Sequence, residues 1–180
     1  MEKNKQIIGV TEPRIFTPPK RKLTEKTSLG FACIQYAKEI LNIDLYPWQC
    51  WFLKHALEIE GDLKSKWHFR FRTILLLISR QNGKTVLSAV LASFFLNVLQ
   101  VKSMLGTSLS VEKAIETLKM TIDYQESSPA LRQEIQHISH ANGAQSMTLR
   151  PNRIYKAAGP TRRAGRGDSH SVVLIDELRE

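Results

Sequence analysis

Thr73-Ile74-Leu75-Leu76-Leu77-Ile78, followed at once by Ser79-Arg80-Gln81-Asn82-Gly83-Lys84-Thr85, is the stretch on which the fold of this chain turns. The first run carries no charge and reads as a buried strand. After the polar turn a second apolar stretch, Val86 to Val101, is interrupted by Ser88, Ser93, Asn97 and Gln100. It is shorter than the ~20 residues needed to cross a bilayer and apolar nearly all round, so it reads as an interior helix. Strand, Gly-Lys-Thr turn and helix together make a P-loop, in which backbone N–H groups, a lysine and a helix N-terminus converge on nucleoside triphosphate.

Each residue of the turn has a place in that reading. Gly83 permits close backbone approach, Lys84 neutralises β- and γ-oxygens, and the Thr85 hydroxyl ligates Mg²⁺. Ser79, Gln81 and Asn82 complete the nucleotide-binding loop, and Arg80 adds a cation within reach of a γ-phosphate. Ile78 stands where the usual motif has its first glycine. The alternative is a polar turn whose Gly-Lys-Thr is coincidental.

A second apolar run, Val172-Val173-Leu174-Ile175, ends in Asp176-Glu177. A strand covered on both faces needs such a run, and ligands bind at the carboxyl ends of strands in open α/β sheets. Asp176 is then the carboxylate of a Mg²⁺ shell, and Glu177 the base that orients and deprotonates water. Alone, an acidic pair at a strand end is more often solvated surface; the pairing with the Gly-Lys-Thr turn favours the functional reading.

The remaining chain alternates helices and strands. Apolar residues recur at helical spacing from Ser28 to Ile43, and Pro47 opens a second helix carrying Trp48, Trp51, Phe52, Leu53 and Ala56. Trp67, Phe69 and Phe71 alternate with charged or polar residues, as in a strand. Lys102 to Thr107 reads as a strand, Val111 to Tyr124 as a helix capped from Ser108-Leu109-Ser110, and Pro129 to Ile138 as a short helix. Ser146–Leu149 and Arg153–Ala157 read as short strands around Pro151-Asn152. The expected fold class is α/β, a P-loop NTPase of the additional-strand, catalytic-glutamate type with a mostly parallel sheet flanked by helices. Residues 1–26, rich in Lys, Arg and Pro, form an extended basic arm, and residues 27–180 form the domain.

At 180 residues, 42% hydrophobic and 24% charged, the chain can bury a core. Its net charge of +9 favours a polyanionic partner. Arg150, Arg153, Lys156, Arg162, Arg163 and Arg166 all fall between Glu134 and Asp168, where no acidic residue occurs. The first five are candidates for sequence-independent contacts with nucleic-acid phosphates; a solvated or inter-subunit basic face is the alternative. Cys33 and Cys50 have neither metal spacing nor a disulfide pattern and read as buried free thiols. The N-terminus lacks the apolar core of a secretion signal.

Taken together, Leu45-Tyr46-Pro47-Trp48-Gln49, the arginine-containing loop 79–85, Ala164-Gly165-Arg166-Gly167-Asp168 and the Asp176-Glu177 strand end resemble the ATPase domain of tailed-phage terminase large subunits. The missing first glycine is a feature of that family. The resemblance implies ATP hydrolysis, with Mg²⁺, driving double-stranded DNA into a procapsid. It further implies a ring of subunits, a terminase small subunit and portal as partners, and the host cell cytoplasm without a membrane. Carried over, Gln49 matches the adenine-recognising glutamine, Arg80 the P-loop arginine, and Arg166 an arginine thought to reach a neighbouring subunit's γ-phosphate; Arg162 and Arg163 adjoin it. Gln49 is otherwise a surface glutamine on a helix. The family's large subunits also carry a nuclease. Glu180 lies three residues beyond Glu177, so the sheet is expected to stop just after its Walker-B-like strand, with the nuclease absent.

Two other functions compete. A superfamily 2 helicase or restriction-type translocase fragment shares this chemistry, but there the loop keeps a leading glycine or alanine and the strand end often continues with Ala-His; Ile78 and Leu178-Arg179 disfavour it. A non-hydrolysing nucleotide- or DNA-binding module is the third.

Overall fold

A computed structural model describes residues 10–141, 145–159 and 169–177. The chain forms two compact units, Met1–Leu77 and Ile78–Glu180.

The first unit holds helices α1 (Gly30–Glu39) and α2 (Pro47–Ala56) and an antiparallel hairpin of β1 (Ile59–Gly61) and β2 (Trp67–Phe69). Proline at the first position starts α2 because its fixed φ already suits a helix and its missing N–H has no intrahelical partner to lose. The two helices approach at Gly30, where a Cβ would lie 2.3 Å from the Leu53 carbonyl oxygen. Cys33, Ala37, Leu53 and Ile59 are fully enclosed. Cys33 is the buried thiol expected, with burial pushing its pKa up, while Cys50 is only half-buried.

Residues 10–26 contain no helix or strand. Their second half is nevertheless strapped down. The buried Glu58 carboxylate accepts from the Lys20 backbone N–H at 3.0 Å and from Arg70 Nη1 at 2.7 Å. Arg70 also donates to the Pro18 carbonyl, and Arg21 to that of Ile59. A buried carboxylate persists only with such charge-assisted partners.

The second unit is built on a five-stranded sheet in the order β4-β5-β6-β3-β7. Its strands are β3 (Ser103–Ser108), β4 (Ile135–Ser139), β5 (Ser146–Leu149), β6 (Arg153–Ala158) and β7 (Val172–Asp176). β3 runs parallel to β6 and β7, whereas β4, β5 and β6 form an antiparallel meander, so the sheet is mixed rather than mostly parallel. Helices α3 (Lys84–Asn97) and α4 (Val111–Ser127) pack Ala92, Leu96, Ala114, Leu118 and Ile122 against Met104, Met147, Leu149, Tyr155 and Ala157. The reciprocal amide pair Asn97–Gln125, at 2.9 and 3.1 Å, ties α3 to α4. Gln125 also holds the carbonyl of Leu131 in the short helix α5 (Pro129–Arg132).

Two sequence expectations are corrected. The helix expected from Pro129 to Ile138 ends at Arg132, and Ile135–Ser139 is strand β4, because Ile135 and Ile138 pair across to β5 and pack on the core. Thr73–Ile78 is not a strand among the described residues. It has no pairing partner, and Ile74, Leu75 and Leu77 are 45%, 71% and 86% exposed. An apolar run becomes a strand only where a neighbouring backbone takes up its N–H and C=O groups.

Candidate functional site at the carboxyl ends of β3 and β7

In the second unit, the loop 79–85 turns by means of two left-handed residues, Gln81 at φ 61° and Gly83 at φ 78°. Asn82 staples it: its Nδ2 donates to Ser79 Oγ at 2.6 Å, to the Ser79 carbonyl at 3.2 Å and to the Arg80 carbonyl at 3.1 Å. These three bonds tie the loop back on itself. Gly83 is the N-cap of α3, no side chain caps that end, and no acidic residue occupies its first turn. The partial positive charge of the helix end, the Lys84 ammonium and the Thr85 hydroxyl therefore all belong to one turn of helix. Arg80 is exposed beside them.

The carboxylates come from β7. In register, Asp176 lies opposite Ser108 at the carboxyl end of β3. Glu177 follows at φ 54°, a left-handed conformation costly for any residue with a Cβ. Its Oε1 lies 3.6 Å from Lys113 Nζ, in the first turn of α4. The bent backbone and the ion pair together fix where this carboxylate points.

Residues of α3 and β7 line one cavity. Ser88, one turn beyond Lys84 and Thr85, lines a cavity of about 50 Å³ together with Asp176, Gly106, Thr117 and Tyr155. As metal donors, a hydroxyl and a carboxylate are hard oxygens and fit Mg²⁺, which keeps several waters and takes few protein ligands. No group of three or more His, Cys, Asp or Glu that could hold a metal ion occurs among the described residues.

Other sequence candidates are placed differently. Gln49, in the first unit, is 1% exposed, and its Oε1 accepts from the Tyr46 backbone N–H at 2.7 Å, capping α2. It is a buried capping residue, not a surface glutamine. Arg153 is 3% exposed: Nη1 donates to the Leu96 carbonyl at the end of α3 at 2.6 Å, and Nη2 to Glu134 at 2.9 Å and to the Arg150 carbonyl. That burial removes it from any phosphate-binding face. Arg150 is exposed and Lys156 half-buried. Arg162, Arg163 and Arg166 lie outside the described residues. Sequence reading missed Lys113, Ser88 and Tyr155. Position alone could have flagged Lys113, since the helix after β3 starts beside the carboxyl strand ends.

The second unit is an α/β fold with carboxylates at the carboxyl end of a parallel strand, and the chain's fold is similar to that of a phage large terminase. Specifically, the chain superposes on the crystal structure of the HK97 bacteriophage large terminase with a TM-score of 0.67 at 20% sequence identity. The match covers 83% of this chain and 31% of that one. No protein-family model and no curated protein matches the sequence. The resemblance read from the motifs therefore holds at the level of the fold.

Proposed function

We propose that this chain is the ATP-hydrolysing part of a DNA-packaging motor of the terminase large-subunit type. The observation that carries the reading is that Ser88, one turn along α3 from Lys84 and Thr85, lines the same cavity as Asp176. The fold likeness to a phage large terminase supports it. In this reading loop 79–85 is a P-loop and Val172–Glu177 a Walker B element.

When bound, Mg²⁺ supplies charge neutralisation at the β- and γ-phosphates. The chain's own residues do the rest. Lys84 and the N-terminal end of α3 hold the phosphate oxygens, while the Thr85 hydroxyl and the Asp176 carboxylate hold the metal shell. Glu177 accepts the proton of the attacking water, and Lys113 lies beside it before substrate arrives. Arg80, exposed on the loop, and Arg166 of a neighbouring subunit stabilise charge on the transferring phosphoryl group. Gln49, which the resemblance matches to an adenine-recognising glutamine, is the candidate for reading the base. Double-stranded DNA is held by basic residues, the exposed Arg150 with Arg162 and Arg163 of the basic loop, in the cytoplasm of a host cell.

Phosphate release with and without DNA tests this. Lys84→Ala should abolish turnover and weaken ATP binding, whereas Glu177→Gln should abolish turnover, by a factor of about 10²–10⁴, and still bind ATP. Normal turnover by Glu177→Gln overturns the assignment of the base.

A further inference from the structure

Beneath Asp176 lie two buried hydroxyls without a protein partner, Tyr155 Oη and Ser108 Oγ. Native proteins leave few such groups, because a buried hydroxyl that has given up water is costly unless something replaces it. Their placement is set by register. Met104 pairs with Tyr155 on one side and Val172 on the other, Gly106 with Ala157 and Leu174, and Ser108 with Asp176. Alternate residues of a strand share a face, so Tyr155, Gly106, Ser108, Leu174 and Asp176 all point to the side covered by α3 and α4.

Tyr155 is fully enclosed, and its ring lies across Gly106, where a Cβ would come within 2.7 Å of Oη. The phenol therefore leans along the strands toward their carboxyl ends, through space that only a glycine leaves open. It lines the 50 Å³ cavity that Asp176, Ser88 and Thr117 also line. A cavity of that size with several hydroxyls in its wall is roomy and polar enough for water, which needs only ~10–15 Å³ and two to four partners.

We propose that Tyr155 is a positioning residue for Asp176, its phenol donating to the carboxylate through water held in the cavity they share. The inference rests on the reading of Asp176 as the metal-site carboxylate. A carboxylate at a strand end has free rotation about its side-chain bonds, and a water anchored on a rigid phenol restricts it to one orientation. Hydrogen bonds behind a metal ligand are worth 10–100-fold in metal affinity. Burial pushes the Tyr155 phenol well above its ordinary range, so it stays a donor throughout the working pH range.

The test is a double-mutant cycle of Tyr155→Phe and Asp176→Ala, read by urea unfolding without nucleotide, alongside the Mg²⁺ dependence of ATP turnover. Phenylalanine keeps the ring over Gly106 and removes the oxygen alone. Tyr155→Phe should lower the folding equilibrium constant about fivefold in the parent and leave it unchanged in the Asp176→Ala background. It should also raise the Mg²⁺ concentration for half-maximal turnover about tenfold with kcat at saturating Mg²⁺ preserved. If Tyr155→Phe is neutral or stabilising, or acts equally in both backgrounds, the water link does not exist. Coupling without a change in Mg²⁺ requirement overturns the positioning role. A parent with no ATP turnover refutes the functional reading, and the unfolding cycle then still decides the link.

Discussion

Arg153 shows at the residue scale how misleading a count of charges can be. It sits in a basic run that invites a nucleic-acid reading, yet its guanidinium is buried against the end of α3, the Glu134 carboxylate and the turn before β6. It closes an otherwise open carbonyl of Leu96 and joins three elements with one planar fork. Replacing it by methionine should destabilise the protein by about 3 kcal/mol in chemical denaturation, and lysine should recover little of that. A loss below a few tenths of a kcal/mol would show the fork to be dispensable. The same distinction separates Gln49, legible as a polar residue of α2 but not as its buried cap, from Lys84, Thr85, Asp176 and Glu177. Those four were legible because strand-end and helix-start positions follow from local pattern. Burial of a polar side chain depends on partners distant in sequence, such as Leu96 for Arg153, and leaves no local trace.

At the scale of elements, periodicity located α2, α3, α4 and the β5–β6 hairpin, since each is defined by contacts near in sequence. It failed where a partner decides. Thr73–Ile78 has the composition of a buried strand and no neighbour to pair with among the described residues; composition reports a preference for burial, not the strand that satisfies it. Ile135–Ser139 is short, and β5 rather than its own spacing makes it a strand. The approach of α1 to α2 is similarly invisible in pattern, because Gly30 reads as an ordinary helix start. A methyl group there would meet the Leu53 carbonyl at 2.3 Å, a backbone atom that cannot swing aside. Gly30→Ala should therefore cost about 2 kcal/mol by thermal or urea unfolding, despite alanine's better helix propensity. A stabilised Gly30→Ala would mean that the helices separate freely.

Across the whole molecule, the sheet of the second unit ends on β7, which pairs only with β3 among the described strands. Val173 and Ile175 on its outer face are 47% and 53% exposed. An apolar edge with unused backbone groups recruits other strands. The protein should self-associate with rising concentration in sedimentation velocity, and Val173→Lys should suppress this without loss of helical circular dichroism. Identical sedimentation of parent and variant would remove the edge as the cause. The net charge of +9 opposes association but acts at longer range, and added salt weakens it.

The central claim is that α3 and β7 hold one metal-bound triphosphate between them, and ATP affinity with and without Mg²⁺ tests it most directly. In the parent Mg²⁺ should tighten ATP binding, and Thr85→Ala or Asp176→Asn should each remove about tenfold or more of that gain. The double variant should lose little beyond either single one, as expected for two ligands of the same ion. If both single variants keep the full Mg²⁺-dependent gain, the hydroxyl and the carboxylate do not share a metal, and the proposed site is contradicted.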